Sequence, residues 1–189
     1  MSGIAPGQIP LVIGAGAIGL SAVAALATRG IQPIVIADFN HDRLELAKRF
    51  GAHRTVDARE RSPYDVWNEL AAERGVTTPP AIFECVGAAG LLQQIIDACP
   101  VGSRIYAAGG WYTGDTLNVT TATKKLLMVQ FGGAPGGDDW YRTLDAIIDG
   151  RLDPRPSIGM TVGLDGLPDA IDLARTAHGP PRIVVHPYE

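Results

Sequence analysis

Residues 12–20 read VIGAGAIGL and place Gly14, Gly16 and Gly19 in the spacing G-x-G-x-x-G. An apolar run precedes them and a stretch rich in small residues follows. In a strand–turn–helix setting each glycine has a separate task. Gly14 allows the tight turn, Gly16 lets the backbone approach a pyrophosphate, and Gly19 lets helix and strand pack closely. The N–H groups of Ala17 and Ile18, at the start of the following helix, would then face phosphate oxygens, where the helix dipole favours negative charge. A carboxylate stands at the distance such a loop requires. Asp38 lies 22 residues beyond Gly16, at the end of the next apolar run. There it can accept hydrogen bonds from a ribose diol, and it would repel a 2′-phosphate, which favours NAD over NADP. Arg43 pulls the other way, unless it only lies on the exposed face of a helix. The competing reading makes the loop a plain turn, and Asp38 a turn or helix-capping acid beside Asn40 and Asp42.

Groups that would carry out chemistry with a dinucleotide are missing from the local pattern. The two cysteines, Cys85 and Cys99, form no C-x-x-C pair, and His41, His53, His178 and His186 show no metal-binding spacing. Both cysteines read as small buried residues of a reducing compartment. Tyr106, Tyr112 and Lys124 make no Y-x-x-x-K pair. No catalytic residue and no metal ligand is assigned.

The elements needed to hold the loop and its acid are legible as alternating strands and helices. Strands are expected at 9–13, 34–37, 53–56, 81–86 and 104–108, and helices at 17–29, 42–50, 63–74 and 90–98. Gly30, Gly51 and Pro100 act as stops. This alternation predicts an α/β fold: a doubly wound parallel sheet of the Rossmann dinucleotide-binding type, covered by helices on both faces in three αβα layers. Beyond Gly109 the expectations are strands at 116–119 and 126–131, a helix at 138–149, then strand, helix and strand at 158–162, 167–176 and 182–186.

Composition bounds the rest. The chain has 189 residues, 46% apolar and 19% charged, enough for a folded α/β domain. A net charge of −4 gives no general attraction to nucleic acid or to anionic membranes. Residues 9–27 are almost uncharged, but no basic residue precedes them and Pro10 and the glycines divide them. A buried strand followed by a buried helix accounts for them, so a soluble, cytoplasmic protein with no membrane span is expected.

Seven stretches in order carry a family resemblance: PGQIPLVIGAGAIGL, ADFNHDRLELAKRFGA, IFECVG, RIYAAGG, KKLLMVQFGG, AIIDGRLD and PPRIVVHP. Together they resemble the cofactor-binding half of the medium-chain dehydrogenase/reductase superfamily, on its zinc-type alcohol and polyol dehydrogenase branch. The resemblance implies further cofactor contacts. Asp38 and Phe39 flank the adenosine ribose, and Arg43 also reaches it. Cys85, Val86 and Gly87 lie beneath the cofactor. The backbone of Ala108, Gly109 and Gly110 binds the nicotinamide carboxamide, which Val129 and Phe131 border. Arg182 pairs with the pyrophosphate. Gly110 and Trp111 depart from the bulkier apolar residue and the proline usual at those positions.

The resemblance also implies a division at 150/151. Residues 1–150 form the NAD-binding domain, and 151–189 pack in the family against an N-terminal GroES-like catalytic domain. That domain carries the catalytic zinc ligands, a Cys and a His–Glu pair, so the sequence reads as a fragment whose zinc belongs to the other half. The implied function is NAD(H) binding for hydride transfer to or from an alcohol or carbonyl substrate. The alternatives are a non-enzymatic NAD-sensing domain and an NADPH-dependent, zinc-free reductase of the same superfamily. Strands 116–119 and 126–131 are the candidate edges for pairing two copies into a homodimer.

Overall fold

The structure, a computed structural model, describes residues 4, 7–110, 114–132, 135–176 and 179–188. The expectations for Trp111, Tyr112 and His178 lie outside the described residues. The chain divides into two compact units, Met1–Gly136 and Gly137–Glu189.

In the first unit the strands are β1 (Pro10–Ile13), β2 (Val35–Asp38), β3 (Arg54–Asp57), β4 (Ala81–Glu84), β5 (Arg104–Ala107) and β6 (Met128–Phe131). They form one parallel sheet in the order β3-β2-β1-β4-β5-β6. This is the doubly wound dinucleotide-binding order, which reverses direction between β1 and β4. Helices α1 (Ala17–Thr28), α2 (His41–Arg49), α3 (Pro63–Glu73) and α4 (Leu91–Ala98) provide the crossovers.

Strand alternation sorts the core onto two faces. Leu11, Val35 and Ile82 join Trp67 and Leu70 of α3 and Ile95 and Ile96 of α4 in one buried cluster. Val12, Ile34 and Ile36 join Leu20, Val23 and Leu26 of α1 and Ala47 of α2 in the other. Successive residues of a strand therefore serve opposite layers, as the period of two demands. The α3 layer is also tied to the sheet by a polar contact, since buried Trp67 donates its indole N–H to the Ile9 carbonyl at 2.9 Å.

Local signals fix the helix starts. The Asn40 side chain accepts from the Arg43 N–H at the head of α2, and Ser62 does the same for Asp65 at the head of α3, with Pro63 next in line. Asn40, not Asp38, is thus the cap of α2, and the Asp38 carboxyl serves another purpose.

Residues 116–119 are not a strand. The Asn118 side chain accepts from the Thr121 N–H at 3.1 Å and starts a short helix, α5 (Val119–Lys124). A capping asparagine offers the backbone a local hydrogen bond, which favours the helix start over a strand. The next strand is also shorter than 126–131. Leu126 has a positive φ of 53°, and the Leu127 N–H returns to the Ala122 carbonyl, so pairing begins only at Met128.

The second unit contains α6 (Gly137–Ile148), β7 (Ile158–Val162), α7 (Leu167–Ala174) and β8 (Arg182–Val185). β7 and β8 pair in parallel across α7. The unit begins at α6, fourteen residues before the expected boundary at 150/151. The Leu152 N–H bonds to the Ala146 carbonyl and ties the end of α6 to the connection that follows it. Among the described residues no helix is long and apolar enough to cross a membrane. The uncharged run at 9–27 is divided between β1 and α1.

Candidate cofactor-binding site

In an open α/β sheet, ligands bind outside the carboxyl ends of the strands, at the point where strand order reverses. Here that point is flanked by the loop after β1 and the loop after β4. The three glycines of the first loop occupy three different environments. Gly14 adopts φ +96° and donates its N–H to the Ala37 carbonyl at 2.8 Å. A Cβ at Gly19 would lie 1.8 Å from the Gly14 carbonyl oxygen, so helix α1 meets the turn backbone to backbone. A Cβ at Gly16 would have no atom within 4 Å. The turn and the packing thus explain Gly14 and Gly19, whereas the chain's own packing makes no demand at Gly16. What a side chain there would fill is the open approach to the first turn of α1. That turn carries neither a side-chain cap nor an acidic residue, so its N–H groups are offered to an incoming anion.

Asp38 ends β2 beside this loop. Its Oδ2 accepts from the Ala15 N–H at 2.6 Å, and its Oδ1 accepts from the Asn40 N–H at 2.8 Å. One carboxyl thereby ties the glycine loop to the β2–α2 turn. A carboxylate offers about four acceptor positions, so both oxygens keep capacity for the two hydroxyls of a ribose. Phe39 is largely exposed beside it, and Arg43 lies in the first turn of α2.

On the far side of the reversal, Cys85, Val86 and Gly87 follow β4, and Ala108, Gly109 and Gly110 follow β5. These two loops interlock through their backbones. A Cβ on Gly87 (φ +74°) would lie 2.4 Å from the Gly110 carbonyl oxygen, and one on Gly109 would lie 2.3 Å from the Gly87 nitrogen. Val86 is half-exposed, and Cys85 is buried. Burial, assisted by the neighbouring Glu84 carboxyl, pushes the Cys85 thiol up to about 12, which excludes a thiolate role at neutral pH. Val129 and Phe131 lie on β6, opposite Ile105 and Ala107. Arg182 opens β8 of the second unit.

The sequence reading passed over Glu84. Its carboxyl is fully buried at the end of β4 and accepts from the Val86 and Gly87 N–H groups, each at 2.8 Å. The available signal was an acidic residue inside the apolar run AIFECV, with no basic residue nearby in sequence.

A sequence model of the family described as zinc-binding dehydrogenase matches residues 17–149. The chain belongs to the zinc-binding dehydrogenase family. The match bears out the resemblance to the cofactor-binding half of the superfamily, and the sheet order bears out the doubly wound α/β fold. Among similar proteins, L-threonine 3-dehydrogenase of Rhizobium johnstonii is 29% identical over 173 residues, covering 91% of this chain and 49% of that protein. The chain therefore spans about half the length of the relatives it matches. Two solved structures share the fold. A short chain alcohol dehydrogenase of Escherichia coli CFT073 complexed with NADH has a TM-score of 0.75 at 23% identity, over 94% of this chain and 51% of the other. A zinc-binding dehydrogenase of Sinorhizobium meliloti bound to NADP has a TM-score of 0.78 at 23% identity, over 98% and 54%.

The family's description implies zinc. Among the described residues here, no group of three or more His, Cys, Asp or Glu side chains is placed to hold a metal ion. No step through zinc is therefore derived from this chain.

Proposed function

We propose that the first unit binds NAD(H) for an alcohol dehydrogenase-like oxidoreductase. It would present the nicotinamide for hydride transfer to or from a small alcohol or carbonyl substrate. The observation that carries this reading is the open face of Gly16 at the uncapped start of α1, beside a carboxyl already fixed to the same loop. The pyrophosphate would lie on the N–H groups of Ala17 and Ile18, and the adenosine ribose on Asp38, with Phe39 and Arg43 at its rim. The loops holding Cys85–Gly87 and Ala108–Gly110, with Val129 and Phe131, would lie on the nicotinamide side. Arg182 is proposed as a further contact to the pyrophosphate. Bound cofactor supplies or accepts the hydride; this chain's residues bind it and orient it.

Calorimetric titration with NADH and NADPH tests the reading. NADH should bind clearly and NADPH much more weakly. Gly16→Ala should fold with stability within about 0.5 kcal/mol of the parent, because its Cβ enters open space. The same methyl group would occupy the phosphate approach, and NADH affinity should fall tenfold or more, on the order of the loss of one charge-assisted hydrogen bond. Unchanged affinity in that variant would remove the phosphate site from the glycine loop.

The second unit offers little core of its own, with Ala146, Ser157 and Ala170 among its few buried residues, while Trp140, Tyr141, Leu144 and Ile148 of α6 are exposed. We propose that this unit, including residues 151–189, packs against the GroES-like catalytic domain that the family resemblance implies, where substrate selection and zinc would reside. A homodimer through β6 is proposed on its exposed Met128 and its place at the end of the sheet order. Light scattering after gel filtration should give twice the chain mass, and a monomer at all concentrations would remove that assembly.

A further inference from the structure

Glu84 is the one fully buried acidic side chain among the described residues, and nothing in the binding scheme above uses it. Its surroundings join the two loops beyond the reversal point. Oε1 holds the β4 loop through the Val86 and Gly87 N–H groups. The Glu84 main-chain carbonyl holds the β5 loop, accepting from the Ala108 N–H at 2.8 Å and the Gly109 N–H at 3.0 Å. Oε2 has no hydrogen-bond partner among the described residues and faces Gly109, where an added Cβ would lie 2.6 Å from it. A buried polar oxygen without a partner is costly, and its retention at a joint between two loops requires a reason.

A dinucleotide lies across the reversal point, one nucleotide on each half of the sheet. The glycine loop and Asp38 belong to the β1–β2 half. The loops that Glu84 joins belong to the β4–β5 half and would carry the other nucleotide. We infer that Glu84 is a positioning residue for the nicotinamide half of the cofactor: its side chain and its carbonyl set the two loops at one spacing, and Gly109 is small because Oε2 lies against it. This inference rests on the cofactor reading proposed above.

The consequence is a split between ligands. ADP, which ends at the pyrophosphate, engages only the β1–β2 half and the phosphate loop, whereas NADH also engages the loops Glu84 holds. In Glu84→Gln the amide oxygen can still accept from Val86 and Gly87, but the amide nitrogen brings two hydrogens against Gly109. Calorimetry on the full chain should show NADH affinity reduced about tenfold with ADP affinity unchanged, a loss the size of one or two weakened hydrogen bonds. A purely structural role would lower both together or neither, and either result overturns the inference. Parent protein that binds ADP, combined with an unaltered NADH-to-ADP ratio in the variant, sinks this inference alone. Parent protein that binds neither ligand sinks the cofactor reading and this inference with it. If the glutamine variant fails to fold, as judged by its circular dichroism and melting temperature, Glu84→Asp serves instead. It keeps the acid, cannot reach both N–H groups, and should show the same selective loss of NADH.

Discussion

Gly19→Ala should destabilise the first unit by about 3 kcal/mol or more, the upper end of what an extra methylene costs in a packed interior. The added Cβ would lie 1.8 Å from the Gly14 carbonyl oxygen and 2.9 Å from its carbon. Main chain cannot rotate out of the way as a side-chain tip can. Gly14 is itself held, by its left-handed φ and by its N–H on the Ala37 carbonyl. Relief must come from moving α1 off β1, which would open the buried cluster of Val12, Leu20, Val23 and Ile36. A fall in Tm of about 10 °C is expected for a unit of this size. Gly16→Ala, three residues earlier in the same motif, should shift Tm by no more than about 2 °C and is the internal control. Equal Tm for parent and Gly19→Ala would mean that α1 does not approach the turn as described.

The second large effect concerns cofactor choice. Asp38→Ala removes the acceptor proposed for the ribose diol and, at the same time, the acceptor for the Ala15 and Asn40 N–H groups. Loss of two charge-assisted hydrogen bonds, at about 2 kcal/mol each, should weaken NADH by a factor on the order of a hundred or more. NADPH should suffer less, because the carboxylate that repels its 2′-phosphate is gone. The ratio of the two dissociation constants is the informative quantity, since any loosening of the loop weakens both. An unchanged ratio would reduce Asp38 to a latch on the glycine loop with no part in choosing the ligand.

Much of this site was legible from short-range pattern. The spacing of Gly14, Gly16 and Gly19 gave three distinct roles, and the structure separates them into a left-handed turn, an open face and a backbone contact. The strands before Gly109 were legible because buried parallel strands are short apolar runs closed by turn residues, and those signals are local. The segment Thr116-Leu-Asn-Val119 misled because its strand-forming residues compete with the capping chemistry of Asn118, and the cap prevailed. Glu84 was invisible for a different reason. Its partners are main-chain groups, which leave no mark in the sequence, and Gly109, which it crowds, is 25 residues away.

The burial of the two cysteines has a practical consequence. Both belong to the first unit, Cys85 under the loop after β4 and Cys99 after α4, and burial raises both thiols. With burial pushing both thiols up, Cys85 to about 12, the thiol form prevails at pH 7. Alkylating reagents therefore meet neither an accessible nor an ionised sulfur until the sheet opens. Since the sequence holds no other cysteine, the rate of covalent labelling is a built-in clock for opening of the first unit alone, blind to whatever the second unit does.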